Sequence, residues 1–217
     1  MAAGSTRTER LRRIWENRDP AALGAIARRG TGVERMEAIK ALGGTASPDA
    51  EPYLLEVVAA GSDRFCVPLA NAALATLGSR AAIPLLARLI HDPVENVKTS
   101  AIAALMKLGD PSLTPLLVDA LSDRSWVAKW YAMAAIDQHG DERAIDPVCR
   151  RIRQIATRSR ATKIGGWTEL MYALDFLQRW RVESKVAAAT LAWAAARADR
   201  FSDVERHWFR SVDPRTR

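Results

Sequence analysis

Trp126 and Trp130 stand four residues apart, and a run of cations follows them: Arg150, Arg151, Arg153, Arg158, Arg160 and Lys163, with no acid between Asp146 and Glu169. Gln154 lies within that run, and Trp167 closes it after Gly165-Gly166. Side chains four apart on a helix share a face. Indoles left open on such a face anchor partners, and guanidinium groups take carboxylates or phosphates through paired hydrogen bonds. This is the chemistry of recognition, with no bond made or broken. Residues suited to covalent or metal chemistry are scattered. His91, His139 and His207 are not spaced with Glu, Cys or another His as a metal-ligand set requires. Cys66 and Cys149 fall in separate apolar patterns and read as buried free thiols. Lys163 precedes the glycine pair and no strand leads into it, so a bend fits better than a phosphate cradle. We expect no catalytic residue, no metal and no cofactor.

The elements that must position these side chains are helices arranged in a repeat. Ala70-x-x-Ala73-Leu74-x-x-Leu77-Gly78 returns as Ala101-x-x-Ala104-Leu105-x-x-Leu108-Gly109, then as Ala132-x-x-Ala135-Ile136-x-x-His139-Gly140, with the glycines 31 residues apart. A proline follows each copy, at Pro84, Pro115 and Pro147. Within a copy, Val97, Ala101, Ala104, Leu105 and Leu108 form one helical stripe, and the small alanines let the next helix come close. Gly109 ends the first helix in a left-handed turn. Pro115 falls in the first turn of the second helix, where a missing N–H loses nothing. A fixed period with this punctuation predicts a stack of helix pairs.

Weaker copies extend the array. Arg35-x-x-Ala38-Ile39-x-x-Leu42-Gly43 fits the register upstream, followed by Pro52 and a second helix over 53–59. Downstream, Leu170-x-x-Ala173-Leu174-x-x-Leu177 fits, but Gln178 replaces the glycine. Segments 8–16 and 21–29 read as an opening pair, and 184–197 and 203–209 as closing helices. The organisation expected is a single solenoid over 1–217, with an atypical N-terminal cap at 1–31, repeats over 32–180, and C-terminal capping helices and tail at 181–217.

These motifs resemble the HEAT-repeat family, in the short form named for phycobilisome-lyase-type HEAT-like repeats. The resemblance implies an all-α, α-α superhelix of about five to six helix pairs, with first helices on a convex side and second helices on a concave one. It does not carry over a family active site. HEAT-like deoxyhypusine hydroxylases hold iron with His-Glu dipeptides, and none occurs here. No residue matches the motif of HEAT-like alkylpurine DNA glycosylases, and nothing points to bilin attachment beyond the repeat itself.

Helical geometry then assigns faces. The core stripe of the fifth repeat is Ala128, Ala132, Ala135, Ile136 and His139, and both tryptophans point more than about 90° away from it at 3.6 residues per turn. Either a partner covers them, or the irregular stretch after this repeat or the C-terminal helices fold back over them. On the following helix Ile145, Val148, Cys149 and Ile152 face inward, leaving Arg150, Arg151, Gln154 and Arg158 outside. Positions equivalent to Arg151 in earlier repeats are Glu56, Arg88 and Asp119. Such alternation is no continuous phosphate track, which a duplex binder needs.

The formal charge is +7, unevenly placed: 1–40 holds 9 bases and 5 acids, 41–120 holds 5 and 8, and 121–217 holds 18 and 12. An arginine-rich start without an apolar stretch argues against a signal peptide. A cytoplasmic chain is expected, acting as a monomer or weak oligomer. Its expected role is a non-catalytic protein-binding scaffold, with an acidic or phosphorylated segment as a possible partner. The alternative is nucleic-acid binding, of the repair type. The contact set expected is Trp126, Trp130, Arg150, Arg151, Gln154, Arg158, Arg160, Lys163 and Trp167.

Overall fold

The computed structural model describes residues 6–61, 63–157, 163–164 and 166–212. In chain order the helices are α1 (Arg7–Glu16), α2 (Pro20–Arg29), α3 (Gly32–Gly44), α4 (Glu51–Ala60), α5 (Cys66–Leu77), α6 (Ile83–Leu89), α7 (Glu95–Leu108), α8 (Thr114–Ala120), α9 (Trp126–His139) and α10 (Ile145–Ile155). A short hairpin follows, β1 (Lys163–Ile164) and β2 (Trp167–Thr168), then α11 (Glu169–Arg179), α12 (Lys185–Ala195) and α13 (Asp203–Val212). The all-α array of HEAT-like helix pairs expected from the repeat is what the chain forms.

The local chemistry explains the boundaries. One 3-10 turn leads directly into each of four second helices: Pro48–Ala50 into α4, Arg80–Ala82 into α6, Pro111–Leu113 into α8, and Glu142–Ala144 into α10. Pro52, Pro84 and Pro115 occupy the first turns of α4, α6 and α8, where proline removes no helical hydrogen bond. Gly78 and Gly109 close α5 and α7 with φ of +71° and +64°, the left-handed geometry the sequence demands. Gly140 differs: it leaves α9 at φ −68° and ψ 150°, with its N–H donating to Ile136 O at 2.7 Å. A Cβ there would lie 2.5 Å from that oxygen, so close approach, not handedness, selects glycine.

Two compact units divide between Leu108 and Gly109. In the first, α2 lies beside α3, α3 on α5 and α5 on α7, while α4 packs on α5 and α6 on α7. Leu23, Ile39, Leu42, Leu54, Leu74, Leu86, Ile102 and Leu105 are fully buried between them. Each such side chain contributes roughly 1.5–3 kcal/mol by leaving water. In the second unit α9 lies beside α11, α10 packs against α11 and α12, and α13 lies on α11. Met133, Ile136, Val148, Ile152, Leu174, Phe176 and Leu177 form its core. Ala128, Ala132 and Ala135 are fully buried, so the register read for the fifth repeat holds. Among the described residues no helix is long and apolar enough to cross a membrane. Cys66 and Cys149 are free and buried as expected. Burial, with Asp63 alongside, pushes the Cys66 thiol up to about 12, so it stays protonated.

Candidate functional site

Ser125 caps α9, its hydroxyl accepting from the Ala128 N–H at 3.2 Å. That cap sets the phase at which Trp126 and Trp130 leave the helix. Trp126 is 46% exposed and lies on the surface as expected. Trp130 does not: it is 7% exposed, so of the two alternatives the fold-back of the irregular stretch holds for it, and its place in the expected contact set is corrected. Its Nε1–H donates to the Trp167 carbonyl oxygen at 3.0 Å. Its ring meets Tyr131 and Tyr172 edge-on, at centroid distances of 5.1 and 5.2 Å.

The covering structure is the hairpin. Lys163 pairs with Thr168 and Ile164 with Trp167, in antiparallel register. This turns Trp167 onto Tyr172, stacked at 4.9 Å and 24°, with Trp208 of α13 edge-on at 5.6 Å. Trp167, half-buried, therefore lies over α9 and α11 with part of its surface in water. Thr168 fixes this arrangement. Its hydroxyl accepts from the Met171 N–H to cap α11 and donates to the buried Glu205 carboxylate of α13 at 2.7 Å. The physical reason for the correction at Trp130 lies in what packs over α9. Positions judged against one helix's own core stripe become buried when a neighbouring first helix and a non-repeat hairpin lie across them.

The cationic run is also partly consumed. Arg151 is 7% exposed instead of lying outside. Its Nε and Nη2 donate to the two carboxylate oxygens of Glu169 at 2.5 and 2.9 Å, and Nη1 donates to Gln154 Oε1 at 3.1 Å. The bidentate pair ties α10 to the first turn of α11. Gln154 is exposed but engaged with Arg151, while Arg150 and Arg153 remain exposed. Lys163 is placed by its backbone in β1. Arg158 and Arg160 lie outside the described residues.

Two features escaped the sequence reading. The first is an acidic pair in the seam between α9 and α11. Asp137, two turns beyond Trp130, is 7% exposed. Arg179 Nη2 approaches its Oδ1 at 3.4 Å, too poorly aimed for a hydrogen bond, and that oxygen accepts none among the described residues. Burial, reinforced by Asp175 and opposed by Arg179, pushes Asp137 up to about 7. Burial also raises Asp175, and raises Tyr172, to which Asp137 adds. The spacing of Trp130 and Asp137 at i and i+7 was the available signal.

The second is an exposed apolar side chain at the start of each of four first helices, at positions that are not equivalent in the repeat. Val33 (37%), Phe65 (56%) and Val94 (37%) of the first unit, and Trp126 of the second, stand at or beside the starts of α3, α5, α7 and α9. The other exposed large apolar residues, Trp15, Val182, Val186 and Val204, fall toward the two ends of the described chain. Among the described residues no cluster of His, Cys, Asp and Glu could hold a metal ion.

Residues 69–130 match the family model for HEAT repeats, and this stretch is HEAT-repeat in kind. No curated protein matches the chain. A solved structure of human deoxyhypusine hydroxylase in complex with glycerol is similar at 17% identity, covering 95% of this chain and 89% of that one, with a TM-score of 0.45.

Proposed function

We propose that this chain of HEAT repeats is a non-catalytic binding module that holds a protein partner through exposed apolar side chains at the starts of its first helices. One observation carries the reading: at the start of four successive first helices, α3, α5, α7 and α9, one large apolar side chain stays in water. Isolated exposed hydrophobics need no explanation. Their recurrence at the start of each first helix from α3 to α9 is a different matter, because large apolar side chains held in water are the groups a partner covers. Trp126 is the strongest anchor of the four, since tryptophan leads among residues that dominate binding energy. With Trp130 inside the fold, Trp167 half-buried and Arg151 paired, recognition rests on Trp126, with Arg150 and Arg153 as further exposed groups. Two free, buried thiols support a cytoplasmic setting.

The test compares wild type with Trp126→Ala as baits in extracts of the native host. A protein captured by wild type and lost to the variant, with the variant's unfolding midpoint unchanged, is the expected result. Identical capture by both chains overturns the reading.

A further inference from the structure

An open concavity of about 570 Å³ lies in the first unit, between the turns that precede α5 and α7. Phe65 and Val94, two of the four exposed apolar residues, form its apolar wall, and Arg35, Asp63, Arg64 and Asp92 supply its polar groups. The polar groups are not equivalent. Asp63 Oδ1 accepts from the N–H groups of Phe65 and Cys66 at 2.9 and 3.1 Å, and its Oδ2 lies 3.5 Å from Arg35 Nη1. Arg35 Nε donates to the Ala27 carbonyl at 2.9 Å. Asp92 Oδ1 accepts from the Val94 N–H at 2.7 Å, at the approach to α7, where the helix N-terminus favours a carboxylate. Arg64 alone faces an uncharged surface: its guanidinium sits over the Phe65 ring at 5.1 Å, and among the described residues no carboxylate pairs with it.

We infer that this concavity docks a short segment of a partner protein that carries an apolar side chain beside a carboxylate, the first on Phe65 and Val94 and the second on Arg64. The inference rests on the binding-module reading and gives its partner a chemistry. Charge complementarity selects the occupant. Asp63 is paired with Arg35 and with backbone amides, and Asp92 accepts the Val94 N–H, so Arg64 is the guanidinium of the lining that has no carboxylate to meet among the described residues. The contact with the ring keeps the guanidinium at the rim, where a carboxylate can meet it while an apolar group packs on Phe65 and Val94. A basic segment would meet Arg64 with like charge.

The experiment selects short random displayed peptides on the full chain and measures the enriched ones against Arg64→Glu, Phe65→Ser and Trp126→Ala. Both first-unit substitutions are at exposed positions, and thermal unfolding checks that the variants fold. The expected consensus pairs Asp or Glu with a neighbouring Leu, Ile, Phe or Met. Its members should bind Arg64→Glu and Phe65→Ser at least tenfold more weakly and Trp126→Ala equally well. Reselection on Arg64→Glu should return Lys or Arg in place of the acid. Enriched peptides without an acidic residue, or with full affinity for Arg64→Glu, overturn the inference. Peptides that ignore both first-unit variants but need Trp126 overturn it too, and leave the binding-module reading standing.

Discussion

The indole N–H of Trp130 donates to the backbone carbonyl of Trp167 at 3.0 Å, across 37 residues of sequence. This bond converts what the helical wheel presents as an open aromatic face into an interior. The donor is satisfied, the ring is enclosed by Tyr131 and Tyr172, and the hairpin that supplies the acceptor also supplies the stacking ring of Trp167. Aromatic burial of this kind stabilises a domain and leaves nothing for a partner to take.

The two tryptophans of α9 should therefore behave oppositely. Trp130→Ala is expected to destabilise the fold by about 3–5 kcal/mol, as large-to-small changes at buried aromatics do. Trp130→Phe, which keeps a ring and loses the donor, should lose roughly 1–2 kcal/mol. Trp126→Ala should stay within about 0.5 kcal/mol of wild type. Urea unfolding followed by circular dichroism measures all three, and equal losses at both positions would refute the assignment.

Arg151 and Glu169 are a nearly enclosed pair, with side chains 8% and 15% exposed. Removing one partner strands the other charge, so Arg151→Met or Glu169→Leu alone should lose about 3 kcal/mol. The double variant Arg151→Met with Glu169→Leu should recover most of that loss, because no buried charge remains. A double-mutant cycle with additive losses would show that the two residues act independently.

Asp137 gives the fold a pH dependence of definite sign. Its carboxyl is raised to about 7 in the folded chain by burial and by Asp175 against Arg179, whereas an unfolded aspartate ionises near its ordinary value of 3.8. Folding thus favours the protonated form. Between about pH 4 and pH 7 the folded state binds more protons than the unfolded one, so stability falls as pH rises and levels off above 7. The slope for one proton is at most about 1.4 kcal/mol per pH unit. Asp137→Asn should remove its own contribution to that slope, leaving that of Asp175, and be the more stable chain at pH 8. Unfolding midpoints of both chains across this range decide the matter.

Nucleic-acid binding should be weak and only gently salt-dependent. With Arg151 paired to Glu169, the described face of α10 offers Arg150 and Arg153 to phosphates. Two contacts correspond to a log–log slope of about −1.8 on duplex DNA. A salt titration on short duplexes giving a much steeper slope would favour the nucleic-acid reading over the protein-binding one.

How much of this was legible beforehand differs from residue to residue. The helix pairs, the glycine at Gly109, the prolines of the second helices and the buried stripe around Ala132 all follow from spacing, because each depends on local geometry and on a neighbour identical in kind. The opening helices over 8–16 and 21–29 were readable for the same reason. Trp130, Trp167 and Arg151 were not. Their environment comes from a hairpin that breaks the period and from Glu169 and Trp208, which the chain brings back from outside the repeat.

By itself, then, the sequence determined an all-α stack of HEAT-like pairs, since a period of apolar and small residues admits few other ways to bury itself. It left open whether Trp126 and Trp130 are covered, because helical spacing gives the direction of a side chain and not what lies over it. Only the tertiary structure decided that Trp130 is interior, that Arg151 is an internal tie and that Asp137 sits desolvated beside Asp175. Burial and charge pairing depend on which distant segment closes over a surface, and periodicity carries information about the surface alone.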